Sequence, residues 1–209
     1  MSLVLEFVSC EVKNLVNVPE DVMDGWVQNP KALQKALTDA LCPSRWRREN
    51  GVIYFDVIFD GTSGPDWIVR LEKAGKRIGD YARSVLLSPD FKPSAVGPAK
   101  IAVLMGESFS DEDRITAKIR TEADKQKFTK PNADLACVIR EMFSDREIED
   151  MGLWRIVAMH EPIKVSDGSP DLLGANRRDD GGWLDAYYGK PDDCWSRDNG
   201  FAFVSQVSS

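Results

Sequence analysis

Several stretches of this chain are rich in β-branched and aromatic residues or alternate between apolar and polar residues, and these patterns predict β-strands. The clearest stretch is VIYFDVIF at residues 52–59, where nearly every apolar position is β-branched or aromatic. Residues 178–182, RDDGG, predict a hairpin turn, because the glycines supply the positive φ angles that tight turns need. The pattern predicts further strands at residues 1–14, 99–105 (AKIAVLM), 153–160 (LWRIVAMH), 172–177 (LLGANR), 183–188 (WLDAYY) and 201–206 (FAFVSQ).

Between these strands, apolar residues recur at the three- and four-residue spacing of helices. Each predicted helix begins at a capping residue or a first-turn proline, which are the usual signals of a helix N-terminus. A further helix is predicted over 76–87, after Gly75, which suits the left-handed end of the preceding helix. The other predicted helices start at Val18, Asn29, Ser63, Ser110, Pro131 and Ser144.

The order of these elements predicts an α+β fold. We expect an N-terminal helical part with one or two strands, followed by a C-terminal antiparallel sheet with helices packed on one face. The segment KPSAVGP at residues 92–98 is rich in proline and glycine, as linkers are. It predicts a division into an N-terminal part at 1–93 and a C-terminal part at 99–209.

The composition is that of a globular protein, with 43% hydrophobic and 29% charged residues in a chain of 209. The net charge of −7 argues against non-specific binding to nucleic acid or to an anionic membrane, because both depend on clustered lysine and arginine. No stretch approaches the roughly 20 apolar residues that span a bilayer, so no membrane partner is predicted. The opening residues carry Glu6 and Glu11 without a basic leader, which predicts a cytoplasmic protein.

The cysteine and histidine residues predict neither a bound metal nor another cofactor. Structural zinc sites need clustered ligands, whereas the four cysteines are widely spaced and His160 is the single histidine. Carboxylates in the late loops could in principle gather around Ca²⁺ or Mg²⁺, but Asp-Gly and Pro-Asp are also ordinary turn sequences, which we favour. These carboxylates are Asp167, Asp179, Asp180, Asp192, Asp193 and Asp198.

The aromatic residues near the C-terminus have two interpretations. Leu184, Phe201 and Phe203 are expected to be packed in the core of a sheet, which is the simpler explanation of this composition. Trp183, Tyr187 and Trp195 could instead form a surface for an unknown protein partner, since interfaces favour tryptophan and tyrosine. We therefore predict a non-enzymatic interaction protein that uses these three residues.

The helix pair at 65–87 supports an alternative function. A glycine-containing turn between two short helices is typical of helix-turn-helix DNA-binding motifs, although plain helical hairpins are far commoner. Nucleic-acid binding through this pair would depend on the basic side chains Arg70, Lys73, Lys76, Arg77 and Arg83.

His160 and Glu161 support a second alternative, a hydrolase. A histidine beside a carboxylate can act as a general base. The same pair at a strand end, before Pro162, is more often structural. The sequence points to no nucleophile for His160, since the G-x-S-x-G elbow is missing.

Three segments resemble a family of short bacterial proteins to which no function is assigned. They are residues 14–37, RIGDYAR at 77–83, and the C-terminal pattern of Glu-Pro-Ile, Ser-Asp-Gly, Trp-Leu, Tyr-Gly, Pro-Asp and Phe-x-Phe-Val at 161–204. The resemblance implies a bacterial, cytoplasmic protein. It brings no functional residue with it.

Overall fold

The computed structural model describes residues 44–205 except Ser166, together with Gly25, residues 28–31 and Leu33. The chain divides into two compact units, Met1–Ser44 and Arg45–Ser209, and the description below concerns the second. The predicted strand at 1–14 and the predicted helix start at Val18 lie outside the described residues. No described helix combines the length and the apolar character needed to cross a membrane.

Residues 46–205 form ten strands and five α-helices, and the last five elements are all strands. The strands are β1 (Trp46–Glu49), β2 (Val52–Phe59), β3 (Arg77–Ile78), β4 (Gly97–Met105), β5 (Phe128–Thr129), β6 (Arg155–Ala158), β7 (Ile163–Lys164), β8 (Pro170–Arg178), β9 (Gly181–Tyr188) and β10 (Asn199–Ser205). The helices are α1 (Gly64–Lys73), α2 (Asp80–Leu86), α3 (Thr116–Lys125), α4 (Asp134–Met142) and α5 (Asp145–Asp150).

All ten strands belong to one mixed, mostly antiparallel sheet. Its order is β1-β2-β4-β10-β6-β8-β9-β3, with β5 paired to β10 and β7 paired to β8. Two pairs are parallel, β10 with β6 and β3 with β9. The predicted combination of helices and strands is confirmed. The predicted separation into a helical part and a later sheet is wrong, because β1 and β2 join the same sheet through β4, which lies beside β10.

The sheet buries a hydrophobic cluster on each of its faces. The first face, which includes Phe55 and Leu184, packs against α1, α2, α4 and α5. The second face, which includes Phe201 and Phe203, packs against α3 through Ile119. The predicted placement of helices on one face is therefore wrong. The predicted burial of Leu184, Phe201 and Phe203 is confirmed, since each is at most 1% exposed.

The segment predicted as a helix-turn-helix contains a strand between its helices. Arg77 and Ile78 pair with Trp183 and Leu184 at the edge of the sheet, so the second helix begins at Asp80 rather than near residue 76. The backbone hydrogen bonds to β9 stabilise this segment more than one additional turn of the short helix would. The two helices pack directly against each other, and the strand between them also ties them to the edge of the sheet.

The proline-rich segment at 92–98 leads directly into β4. Because β4 pairs along its length with β2, this segment joins two neighbouring strands of one sheet. Ser94 is tied to the buried Asp134, whose carboxylate accepts the Ser94 N–H at 2.7 Å and the Ser94 hydroxyl at 2.8 Å. The compact units divide at residues 44 and 45, away from the expected division between 93 and 99.

Candidate functional site

A small groove opens on the second face of the sheet, at the ends of β6 and β9. Its walls come from the sheet and from the loop of residues 189–198, and its volume is about 220 Å³. We call it the Arg155 groove. It is lined by Arg155, Tyr187, Tyr188, Asp193, Cys194, Trp195, Ser196 and Asn199.

Strand register places a polar row across the floor of this groove. Asn199 of β10 lies opposite Arg155 of β6, and Arg155 lies opposite Asn176 of β8. Asn176 in turn lies opposite Trp183 of β9. Directly opposed residues of neighbouring strands share one face of the sheet, so their side chains form a continuous polar and aromatic strip.

Arg155 is the chemically distinctive member of this row. Its guanidinium lies over the Tyr187 ring, 4.6 Å from the ring centroid, and is partly buried. It forms no ion pair with any described carboxylate. Arg146 and Arg197, the two other described arginines without such a pair, are exposed to solvent. Asp193 also lines the groove, but its carboxylate accepts the Lys190 N–H at 2.8 Å.

Three buried polar atoms around Arg155 have no hydrogen-bond partner of good geometry within the described part of the chain. They are Nε of Arg155, Oδ1 of Asn176 and the hydroxyl of Tyr187. Burial raises the pKa of Tyr187 to about 12, so the phenol is neutral and can donate. Buried polar atoms are nearly always paired with protein, water or ligand. The Tyr187 hydroxyl and the Asn176 side chain lie close enough to interact with each other, whereas the Arg155 guanidinium borders the groove and can donate to an incoming group.

Tyr187 occupies its position because Gly174 leaves room for it. A Cβ atom at Gly174 would lie 3.0 Å from the Tyr187 ring and 3.3 Å from the Ile156 carbonyl oxygen. The ring thus lies across the backbone of β8 and forms a flat base under the Arg155 guanidinium. The ring restricts the motion of the guanidinium and so reduces the conformational entropy that is lost when a ligand binds.

Trp183 lies at the far end of the polar row. Its ring contacts two guanidinium groups, those of Arg178 at 4.5 Å and Arg77 at 5.6 Å. The indole N–H donates to Asp180 at 2.9 Å, and Arg178 pairs with the nearly buried Asp185 at 2.5 Å. The predicted partner residue Trp183 is therefore engaged with its own neighbours and lies beside the groove.

Trp195, the third predicted partner residue, is mostly packed into the protein. It is 9% exposed, and its indole N–H donates to the Thr116 hydroxyl at 2.9 Å. Its ring makes edge contacts with Tyr187 at 6.0 Å and Phe201 at 5.7 Å. The structure brings Tyr187 and Trp195 together, and Trp195 anchors the loop that forms the groove wall.

We expect the substitution Trp195→Phe to lower the free energy of unfolding by about 1–2 kcal/mol, because the Thr116 hydroxyl loses its buried donor. Urea unfolding followed by circular dichroism measures this change. Trp154→Phe is the matched control, since Trp154 is partly exposed and its indole makes no hydrogen bond with a described residue. Equal unfolding midpoints for the two variants would contradict the anchoring role.

The basic residues predicted to bind nucleic acid are largely paired with carboxylates. Arg70 contacts Asp60 and Glu141, Arg77 contacts Asp180, and Arg83 contacts Glu72, each pair having a 2.5 Å contact. Burial and the charge of Arg140 lower the pKa of Lys76. Lys73 is exposed at the end of α1. The positive charge of the five residues is thus mostly balanced locally.

His160 is held in a fixed, neutral form inside the protein. Its Nδ1 lies 2.7 Å from the Glu161 carbonyl oxygen, and its Nε2 accepts the Leu173 N–H at 3.0 Å. Burial lowers the pKa of His160 to about 4. Both ring nitrogens are therefore engaged with backbone, while the Glu161 side chain points to Lys130. This arrangement positions β8. His160 and Glu161 border a groove of about 480 Å³, but both ring nitrogens of His160 are already engaged with backbone.

A larger groove lies between α3 and the turn that joins β1 to β2. Its volume is about 420 Å³, within the usual range of small-molecule sites. The charged side chains on its rim are already paired: Lys118 with Asp113 at 2.5 Å and Lys125 with Glu122 at 3.1 Å. Volume does not single out one groove, since another beside α5 has about 540 Å³. The unpaired polar groups favour the Arg155 groove.

In residues 44–205, leaving aside Ser166, no three His, Cys, Asp or Glu side chains are grouped so as to hold a metal ion. The carboxylates of the late loops are instead used in turns and ion pairs, as with Asp193 and Asp180.

No known protein helps to identify this site. No protein-family model, no curated protein and no solved structure matches the chain. The resemblance to short bacterial proteins and the cytoplasmic location stay predictions.

Sequence reasoning missed Arg155 and Asn176. The sequence contained a signal for them, because strand alternation places each on the same face as a core position. Arg155, for example, lies two residues from Val157, which faces the core. A polar residue in such a position needs a partner or marks a site.

Proposed function

We propose that this protein is a non-enzymatic interaction protein whose Arg155 groove binds a carboxylate of a partner protein. The observation that carries the proposal is the partly buried Arg155 guanidinium, which lies on the Tyr187 ring without a described carboxylate partner. A carboxylate is the complementary group, because it accepts two parallel hydrogen bonds from the guanidinium fork.

The dimensions of the groove favour a side chain or chain end over a free metabolite. Small-molecule sites usually enclose about 300–1,000 Å³, whereas this groove has about 220 Å³. It can take one acidic group, with the remaining contact surface supplied by the partner around it. The aromatic wall of Tyr187 and Trp195 would exclude water from the ion pair and so strengthen it.

A titration with a capped Gly-Glu-Gly peptide tests this proposal, with the arginine Nε–H signals followed by ¹⁵N NMR. We expect a saturable shift of the Arg155 signal. The variant Arg155→Gln is expected to weaken binding about tenfold, because it removes a charge-assisted pair of hydrogen bonds.

Arg146→Gln is the matched control, since it removes an exposed arginine without a described carboxylate partner. A capped Gly-Gln-Gly peptide and sodium chloride at equal ionic strength control for shape and for charge screening. If chloride shifts the Arg155 signal as strongly as the peptide, or if Arg155→Gln binds like the unchanged protein, the proposal is wrong.

A further inference from the structure

The first face of the sheet carries a second polar and aromatic surface, near the start of β8. Tyr81 of α2 and Tyr188 of β9 are 53% and 57% exposed, which is unusual for large rings in this protein. Asp171 of β8 lies directly opposite Tyr188 in the strand register. We call Tyr81, Tyr188 and Asp171 the two-tyrosine patch.

Asp171 is only 4% exposed, but its carboxylate oxygens still reach solvent. The carboxylate makes no hydrogen bond or ion pair with any described residue. Its neighbour across β7 is the apolar Ile163, and Leu173 follows it on the same face. Burial, together with the charge of Asp167, raises the pKa of Asp171. A buried carboxylate of this kind is costly unless a cation or donor approaches it.

The carboxylate and the two rings form one neighbourhood. Opposed residues of paired strands have Cβ atoms about 5 Å apart, so Asp171 lies beside the base of the Tyr188 ring. Tyr81 belongs to α2, which packs against β8 and β9, the strands that carry Asp171 and Tyr188. The Tyr81 hydroxyl shares a hydrogen bond with the Asp167 carboxylate, and the charge of Asp167 is the main cause that raises the pKa of Tyr81. Two carboxylates, Asp167 and Asp171, thus lie near the patch.

A lysine of the protein, Lys190, already contacts one ring of this patch. The Lys190 ammonium lies 5.7 Å from the centroid of the Tyr188 ring, at a distance typical of a cation–π contact. Lys190 makes no ion pair with Asp171, so the buried carboxylate is left for another cation.

We propose that the two-tyrosine patch binds a primary alkylammonium group, whose charge pairs with Asp171 and whose methylene chain packs on the rings of Tyr81 and Tyr188. Lysine side chains of proteins and free aliphatic amines share this chemistry. Tyr188 also borders the Arg155 groove, but Asp171 and Tyr81 lie on the other face of the sheet. The patch takes the opposite charge, so the proposal does not depend on the function proposed above.

A titration of protein with ¹³C-labelled tyrosine rings tests this inference by NMR, because the chain has only four tyrosines. The probes are n-butylammonium, a capped Ala-Lys-Ala peptide, neutral n-butanol and sodium chloride at equal ionic strength. We expect saturable shifts of the Tyr81 and Tyr188 signals with the two ammonium probes and unchanged Tyr54 signals. Tighter binding of the peptide identifies protein lysine as the source of the group, and tighter binding of butylammonium identifies a free amine.

Substitutions test whether the Asp171 carboxylate is the charge that binds the ammonium group. Asp171→Asn is expected to weaken butylammonium binding about tenfold, the effect of losing a partly desolvated ion pair, and to raise the melting temperature by removing an uncompensated charge. Asp56→Asn, which removes an exposed carboxylate from β2, is expected to change neither. Arg155→Gln should bind butylammonium normally, which separates this test from that of the Arg155 groove. The inference is overturned if sodium produces the same shifts, or if Asp171→Asn binds like the unchanged protein.

Discussion

Replacing Gly64 by alanine is expected to lower the free energy of unfolding by about 3 kcal/mol. Gly64 begins α1 and lies against the end of α2, where a Cβ atom would be 1.8 Å from the Leu86 carbonyl oxygen and 2.8 Å from the carbonyl carbon. These are backbone atoms, so no side-chain rotation relieves the clash. The two helices would have to separate and expose Trp67 and Leu71, which pack in the core.

Urea unfolding followed by circular dichroism measures this loss. Gly25→Ala is the matched control, because Gly25 is helical and a Cβ atom there would meet no described atom within 4 Å. The control is expected to leave stability unchanged or raise it by up to about 1 kcal/mol, the usual helix preference of alanine. A Gly64→Ala protein as stable as the unchanged one would refute the close packing of α1 on α2.

Lowering the pH from about 6.5 to about 4 is expected to remove about 3 kcal/mol of stability through His160 alone. Burial lowers the pKa of His160 to about 4 in the folded protein, whereas an unfolded histidine takes up its proton near pH 6.5. Between these values the unfolded chain binds one more proton than the folded chain. The free energy of unfolding therefore has its full value above about pH 6.5 and falls as the pH is lowered toward 4.

The variant His160→Gln isolates this effect, since glutamine keeps an acceptor for the Leu173 N–H but does not titrate. The unfolding free energy of the variant should depend less on pH between 4 and 6.5, and the difference between the two slopes is the His160 contribution. His160 is the single histidine of the chain, so its imidazole NMR signals are unambiguous. An imidazole that titrates near pH 6.5 in the folded protein would contradict this account.

Local sequence predicted the elements whose form depends on near neighbours. The run of β-branched and aromatic residues at 52–59 matches β2, and the RDDGG turn joins β8 to β9. Ser144 caps α5 and forms a capping box with Glu147, as the helix start predicted there suggests. In each case the decisive contacts lie within a few residues, so the sequence contains the needed information.

Elements fixed by distant contacts were not predicted in their true extent. The helix expected from Ser110 begins only at Thr116, although Ser110 does accept the Asp113 N–H at 3.2 Å. Ile115 forms a β-bridge with Cys194, which holds it in an extended conformation. A contact across nearly eighty residues thus overrides a local cap, and no pattern near residue 110 reveals it.

The same distinction applies to the Arg155 groove. Alternation within β9 predicts that Trp183 and Tyr187 share a face, and the structure places both on the second face. Asn176 lies opposite Trp183 in the hairpin of β8 and β9, but Arg155 joins them only through the pairing of β6 with β8. Strand order is a property of the whole sheet, so the polar row could not be assembled from the sequence alone.

The central position of β10 has a consequence for how the protein is made. Residues 199–205 follow every other strand in sequence, yet they lie between β4 and β6 and join the two halves of the sheet. During translation, the earlier strands must wait with open hydrogen-bonding edges until this segment leaves the ribosome. Such edges can pair with other chains, so chaperone binding to the nascent polypeptide is expected to matter most just before β10 emerges.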